Sequence, residues 1–219
     1  MIRYEAAGYA VRLGARQAIR LAGALACAAL LAGCAGQSAG PARAWFGAHD
    51  GVAPKGERIY VCHAFGCARK TPVDLSGRHL ARLKSILAKG RASPEAERRA
   101  IADAVAWHER AIGPIVGSQG DVGGYDLHNS GVPGQMDCID EATNTTSVLL
   151  VVAEKGYLRH HGVSGPVARG FFLDGRYPHA TAVIRDTANG TSYAVDSWPD
   201  ANGEPPVVQS LDRWFEERG

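Results

Sequence analysis

Three residues with nucleophile, base and carboxylate chemistry each stand at the edge of a predicted regular element. Cys138 follows a glycine-bearing polar loop, at the point where a helix is predicted to begin. His179 opens a strand-like run, and Asp196 closes the next such run. A cysteine nucleophile uses a histidine as its base, and a carboxylate orients that histidine. The three residues are therefore predicted to form a catalytic Cys-His-Asp site.

The elements that carry the histidine and the aspartate form a predicted hairpin. Strands are predicted over 179–185 and 191–195, and the connection contains Asn189-Gly190, which is a strong hairpin signal. Antiparallel pairing places His179 and Asp196 at the same open end of this hairpin. The imidazole and the carboxylate are thus expected to lie within hydrogen-bonding distance.

The cysteine opens a helix that is predicted over 137–154. A helix N-terminus favours a thiolate through its unpaired N–H groups and its dipole. The backbone N–H of Cys138 and the side chain of Gln135 are predicted donors to a developing oxyanion. Asp137 and Asp140 oppose thiolate formation by their like charge, although acids in a first turn also stabilise a helix.

The remaining elements complete a predicted α+β domain. A short hairpin precedes two helices, and a long glycine-rich loop then leads to Cys138. A capping serine and a proline at the first helical position mark the start of the second helix, and Gly113-Pro114 is predicted to end it. The predicted ranges are 59–62 and 70–75 for the hairpin, 77–89 and 93–112 for the helices, 117–134 for the loop, 167–173 for another strand, 205–208 for an edge strand and 211–217 for a closing helical turn.

The cysteine pattern leaves Cys138 unpaired. Cys62 and Cys67 stand close together, and in an oxidising compartment they are predicted to form a local disulfide across a turn. An unpaired thiol in an exported protein is a candidate reactive group. A metal site made of Cys62, His63 and Cys67 is an alternative, but it would supply three ligands at best.

The first 33 residues have the pattern of a signal peptide. A basic start is followed by an apolar run over 21–33, which is shorter than a membrane-spanning helix. The ending Leu31-Ala32-Gly33-Cys34 resembles a bacterial lipobox, and the resemblance implies cleavage before Cys34 and its diacylation. An ordinary secretory signal and an uncleaved anchor are the alternatives. The predicted division is a leader over 1–33, a tether over 34–55 and a catalytic domain over 56–219.

Removing this leader makes the chain nearly neutral. The full sequence has 24 Lys and Arg against 22 Asp and Glu, and the leader contains four arginines and one glutamate. The mature part then has 20 basic and 21 acidic residues. No basic stripe remains to indicate nucleic-acid binding. The remaining 186 residues are enough for one domain with its own core.

The motifs around the three candidate residues resemble the bacterial transglutaminase-like cysteine proteinases, a branch of the papain-like fold. The matching stretches are Asp137-Cys138-Ile139-Asp140, His179-Ala180 and Tyr193-Ala194-Val195-Asp196, and the likeness covers about a third of the chain. The resemblance implies a nucleophile helix packed on an antiparallel sheet. It also implies that Cys138 is the nucleophile, His179 the base and Asp196 the orienting residue.

Members of that group include periplasmic proteases that cut surface adhesins and depend on calcium. The resemblance thus implies a protein or peptide substrate in the cell envelope, with the lipid anchor as a membrane contact. It makes Asp137 and Asp140 possible calcium ligands, although Ile139 replaces the acid that the group has directly after its cysteine. A cell-wall peptidase of the NlpC type is an alternative with a poorer motif match. A non-catalytic envelope lipoprotein that uses the fold as a binding module is another.

Overall fold

The structure is a computed structural model that describes residues 40–124, 127–170 and 177–217. The predicted signal peptide and Cys34 lie outside the described residues. The described part combines helices with antiparallel strands that are segregated along the chain, which is an α+β order. Within these residues, no helix is long and apolar enough to cross a membrane.

Five α-helices and six strands make up the described part of the chain, together with short 3₁₀ turns. The helices are α1 (Ala42–Ala48), α2 (Gly77–Leu87), α3 (Pro94–Val116), α4 (Cys138–Glu154) and α5 (Leu211–Glu216). The strands are β1 (Arg58–His63), β2 (Arg69–Asp74), β3 (His161–Arg169), β4 (His179–Asp186), β5 (Ser192–Asp196) and β6 (Val207–Ser210).

The strands form two antiparallel sheets. β1 and β2 make a two-stranded hairpin, and β3 to β6 make a four-stranded sheet in sequential order. β4 is buried almost throughout, and the β4–β5 register pairs Ala182 with Val195. The predicted α+β class and both predicted hairpins are confirmed.

The largest apolar cluster joins three helices to the four-stranded sheet. Leu83 of α2, Ile101 of α3 and Leu149 of α4 are fully or almost fully buried with Ile184 of β4. Burying such side chains is the main favourable contribution to folding, at about 1.5–3 kcal/mol for each. The helix that begins at Cys138 is thereby held against the strand that begins at His179.

Helix α3 continues past the glycine and proline that were predicted to end it. Pro114 lies in its last turn, and the helix ends at Val116. A proline so close to the helix end removes only one backbone hydrogen bond, and that bond belongs to the last turn. Gly117 then ends the helix in the left-handed conformation, at φ 86°, with its N–H donating to Gly113 O.

Strand β3 begins six residues earlier than predicted because a buried acid organises its first residues. Glu97 of α3 is fully buried and accepts the backbone N–H groups of Arg159, His160 and His161. The ring Nδ1 of His161 lies 2.9 Å from the same carboxylate. This interaction joins positions more than sixty residues apart, so it leaves no local sequence signal.

Part of the segment predicted as a tether packs on the domain. Trp45 of α1 donates from Nε1 to Thr143 Oγ1 of α4 at 2.9 Å, and Phe46 is buried. Gly40 O accepts the N–H of Gly165 at the β3 side. The described residues of this segment are therefore attached to the first half of helix α4.

The connection between β1 and β2 is a left-handed turn closed by a disulfide. Four consecutive residues have positive φ: Ala64 at 68°, Phe65 at 70°, Gly66 at 61° and Cys67 at 57°. Three of them carry a β-carbon, and each costs about 1–2 kcal/mol in this conformation. Cys62 and Cys67 are bonded across the turn, which confirms the predicted disulfide. The alternative metal site is wrong for this state because the disulfide occupies both sulfurs.

Opening this disulfide is expected to destabilise the domain. Without the bond, the unfolded chain gains conformational entropy. Replacing Cys62 and Cys67 together by Ala should therefore lower the free energy of unfolding by about 2–4 kcal/mol. The measurement is chemical denaturation of the wild type and the double variant, with and without a reductant. The wild type should lose stability on reduction, and the variant should not respond. Thiol counting should confirm that the disulfide is reduced. If the reduced wild type is then as stable as the oxidised one, this expectation is wrong.

Candidate active site

Cys138 occupies the first position of helix α4, and Asp137 caps that helix. Asp137 Oδ1 accepts the backbone N–H groups of Ile139 at 3.1 Å and Asp140 at 2.9 Å. Asp140 Oδ2 accepts the N–H of Asp137 in return, at 3.3 Å. This reciprocal capping box satisfies helix-end donors on both sides of the cysteine. It fixes where the helix begins, and therefore where the thiol lies.

The same two acids hold the left-handed turn. Asp140 accepts the N–H groups of Phe65 at 2.8 Å and Cys67 at 2.6 Å, and Asp137 Oδ2 accepts the N–H of Gly66 at 3.0 Å. Asp140 is completely buried. Burial, and next the charge of Asp137, raise the pKa of Asp140 to about 7. The acids beside the thiol thus connect the disulfide turn to the start of helix α4.

This arrangement gives no support to the calcium site that was predicted on Asp137 and Asp140. Each of their four carboxylate oxygens already accepts at least one backbone N–H. The positive ends of those N–H dipoles lie where a cation would have to bind. Within the described residues, the one cluster of three potential metal ligands is Cys62, Cys67 and Asp140, and two of its members are disulfide-bonded.

The predicted hairpin brings His179 and Asp196 together. Nε2 of His179 lies 2.7 Å from Oδ2 of Asp196, and both side chains are buried. A carboxylate only accepts hydrogen bonds, so Nε2 carries the proton and Nδ1 presents a lone pair. Nδ1 is buried and makes no hydrogen bond to any residue that the structure describes. The imidazole is therefore held in the tautomer that can accept a proton at Nδ1.

The thiol of Cys138 lies against the backbone on both sides of His179. Its sulfur is 4.0 Å from Pro178 O, and the backbone N–H of Ala180 is also a hydrogen-bonding neighbour of the sulfur. Nδ1 is the imidazole nitrogen nearer to its own backbone. The thiol therefore lies beside the backbone at the start of β4, and it makes no hydrogen bond to Nδ1 of His179 in this structure.

The environment of this thiol favours its protonated form. Burial first, and then the charge of Asp137, raise the pKa of Cys138 to about 12. The N–H of Ala180 favours the thiolate, but Asp196 opposes it. The helix N-terminus alone is therefore insufficient to make a resting thiolate here, contrary to the simplest expectation from sequence. A nucleophilic role requires the proton to leave as the new bond forms.

Gln135 is placed on the loop side of the site, and its side chain braces that loop. Its Nε2 donates to Gly120 O at 2.8 Å, and its Oε1 accepts from Asn129 Nδ2 at 2.9 Å. The amide donor that was predicted for an oxyanion is thus engaged elsewhere in this state. The backbone N–H of Cys138 remains the predicted donor, because it belongs to the unpaired first turn of α4.

The histidine lies between two tryptophans. Its ring centroid is 4.6 Å from that of Trp198 and 5.4 Å from that of Trp214. Trp198 follows the candidate aspartate closely in sequence. Trp214, of helix α5, was missed, since an aromatic residue in a short closing helix has no motif around it. Asn144 was missed as well; its amide holds both the N–H and the O of Cys62.

A buried polar layer lies behind the site. Ser197 donates to Glu141 Oε2 at 2.9 Å, and Glu109 Oε2 accepts the N–H of Gly203 at 2.9 Å. Both acids line a small cavity of about 10 Å³, which is enough for about one water. Burial and the charge of Glu109 raise the pKa of Glu141 well above its ordinary value. Burial likewise raises the pKa of Glu109 to about 8.

Comparisons with protein-family models, with curated proteins and with solved structures find no match to this chain. The functional assignment therefore depends on the geometry of the site.

Neutralising Glu109 is expected to flatten the loss of stability at rising pH. Its folded pKa of about 8 lies above the ordinary 4.5, so the unfolded chain releases this proton first. Stability should then fall as pH rises from about 4.5 to about 8, with a slope of up to about 1.4 kcal/mol per pH unit from this group. Glu109→Gln should reduce the slope, measured by denaturation at several pH values.

Glu95→Gln is the matched control, because Glu95 is an exposed acid on the same helix. It should leave the wild-type slope unchanged. Part of the slope should persist in Glu109→Gln, since Glu141 has a raised pKa too. A Glu109→Gln variant with the full wild-type slope would show that Glu109 is ionised in the folded state.

Proposed function

We propose that this chain is a cysteine peptidase that works by acyl transfer through a thioester, with Cys138 as nucleophile, His179 as base and Asp196 as the residue that orients the base. The observation that carries the proposal is the state of His179. Its Nε2 is held by Asp196 at 2.7 Å, while its buried Nδ1 makes no hydrogen bond to a described residue. His108 also has a buried nitrogen without a partner, but its other nitrogen pairs with His79, whereas that of His179 is held by a carboxylate.

The proposed reaction uses that unpartnered nitrogen twice. As the sulfur of Cys138 bonds to the substrate carbonyl carbon, the S–H proton moves to Nδ1 of His179. The same proton passes to the leaving amine as the C–N bond breaks, which leaves a thioester on the sulfur. A water then gives a proton to Nδ1 and adds to the thioester. The C–S bond breaks, and the proton returns to the sulfur.

The electrostatics favour this concerted course over a resting ion pair. A thiol pKa of about 12 makes a thiolate scarce at neutral pH, so the base has to act during the attack. Asp196 favours the imidazolium that then forms. The backbone N–H of Cys138 donates to the oxyanion from the helix start, where the dipole also favours negative charge.

We further propose a papain-like, transglutaminase-type arrangement for the fold. It is supported by a nucleophile at the start of a buried helix, and by a histidine and an aspartate on adjacent strands of an antiparallel sheet packed against that helix. We also propose that the protein is a lipoprotein of the cell envelope, anchored at Cys34, and that its substrate is a protein or peptide there. The disulfide between Cys62 and Cys67 supports an oxidising compartment.

A binding module that lacks turnover is a second candidate. The observation in its favour is the same raised pKa of Cys138, together with the partial burial of its thiol. In this alternative the site keeps its shape but the thiol stays protonated and unreactive. The two candidates differ in one measurable property, which is whether His179 accelerates reactions of the Cys138 sulfur.

Replacing His179 by Ala is expected to slow alkylation of Cys138 by about a hundredfold or more, because a positioned general base contributes about 10²–10⁴-fold. The full-length protein in detergent is treated with iodoacetamide, and separately with a peptidyl vinyl sulfone. The rate is read at the Cys138 peptide by mass spectrometry, so that other cysteines do not contribute.

His128→Ala is the matched control, since His128 is an exposed histidine on the loop before the site. It should react like the wild type. Denatured wild type should lose its selectivity for the peptidyl probe. Equal rates for the wild type and His179→Ala, with both proteins folded, would rule out the peptidase and favour the binding module.

A further inference from the structure

The carboxylate of Asp196 accepts a second hydrogen bond, from a residue of helix α5. Trp214 Nε1 donates to Asp196 Oδ2 at 2.7 Å, and His179 Nε2 lies 2.7 Å from that same oxygen. The indole is completely buried. Oδ1 of Asp196 is buried and has no hydrogen-bond partner among the described residues. One carboxylate oxygen therefore holds both donors, and the other holds neither.

This asymmetry decides which way the carboxylate faces. The terminal torsion angle of an aspartate side chain has a broad, roughly two-fold distribution. With His179 as the one donor, either oxygen could accept the hydrogen bond over a range of carboxylate orientations. The indole N–H approaches from a different element and fixes Oδ2 between two donors. A charge-assisted hydrogen bond of this kind is short and comparatively strong. The plane of the carboxylate, and through it the imidazole ring, is thereby set.

The indole itself is held in place from the sheet. The guanidinium of Arg169 lies 4.3 Å from the centroid of the Trp214 ring, in cation–π geometry. Arg169 also donates to Glu217 O at 2.9 Å, just after α5 ends. Ser210 caps α5 by accepting the N–H of Arg213. These contacts give a short helix a fixed position on the sheet, which its own length would not provide.

We propose that Trp214 is a positioning residue of the site, and that it acts through Asp196 to set the orientation and the proton-accepting tautomer of His179. The proposal depends on the proposed function for its kinetic consequence. Its structural content, a hydrogen bond that couples the indole to the histidine, can be tested independently.

The kinetic test is Trp214→Phe, which removes the N–H and keeps an aromatic ring between His179 and Arg169. Alkylation of Cys138 by iodoacetamide at neutral pH should fall about tenfold, because one charge-assisted hydrogen bond is lost. The acid limb of its pH–rate profile should move to lower pH, since a less well-oriented Asp196 favours the imidazolium less and His179 then becomes the free base at a lower pH. A merely structural role would not move the profile of a variant that is still folded.

Trp45→Phe is the matched control. It also removes an indole hydrogen bond, the one to Thr143, at a place without contact to Asp196. This variant should keep the wild-type rate and pH profile. Wild-type behaviour in a folded Trp214→Phe variant would overturn the proposal.

The spectroscopic test needs no folded Trp214 variant and no peptidase activity. The indole N–H resonance of the wild type is assigned to Trp214 by its response to Asp196→Asn. It should exchange slowly with solvent, and its chemical shift should follow the protonation of His179 and lose that dependence in His179→Ala. An indole resonance insensitive to His179 would overturn the proposal. If the resonance responds but His179→Ala leaves alkylation unchanged, the positioning contact stands and the peptidase function fails.

Discussion

The buried carboxylate of Asp140 is the interaction on which the rest of the site depends. It lies two residues after the candidate nucleophile and accepts N–H groups from a turn more than seventy residues earlier. The turn needs those acceptors, because three of its residues with a β-carbon adopt the left-handed conformation. The helix start needs the acid for its capping box. Loss of this one group would release the disulfide turn and the first turn of α4 together.

The hydrogen bonds of Asp140 and Asp137 also explain why negative charge lies around the thiol. Asp137 and Asp140 raise the question of how a nucleophile can work beside two acids. Their oxygens are occupied by backbone donors, which spread the charge without removing it, and the pKa of Cys138 stays high. The proposed mechanism is consistent with this cost, since it requires proton transfer to His179 during attack and no standing thiolate. Orientation of the imidazole then matters more than acidity of the thiol.

Local signals predicted the elements that carry the site, and long-range contacts account for what was missed. A proline and a capping serine marked the start of α3, and an Asn-Gly pair marked the hairpin that joins His179 to Asp196. The early start of β3 depends on Glu97, which lies on a distant helix. The contact of Trp214 with Asp196 depends on how α5 packs, and the engagement of Gln135 depends on how the long loop folds. None of these three leaves a periodicity or a motif in the sequence.

The spacing of the cysteines has a consequence for oxidative folding. Cys62, Cys67 and Cys138 permit three different single disulfides. The native pair is separated by five positions, whereas Cys67 and Cys138 lie more than ten times as far apart in sequence. Closing the longer loop costs about 2 kcal/mol more in chain entropy. The native bridge is therefore favoured to form first, and in the folded chain the third thiol is partly buried. The order of bond formation thus favours a single free thiol at Cys138, which the proposed function requires.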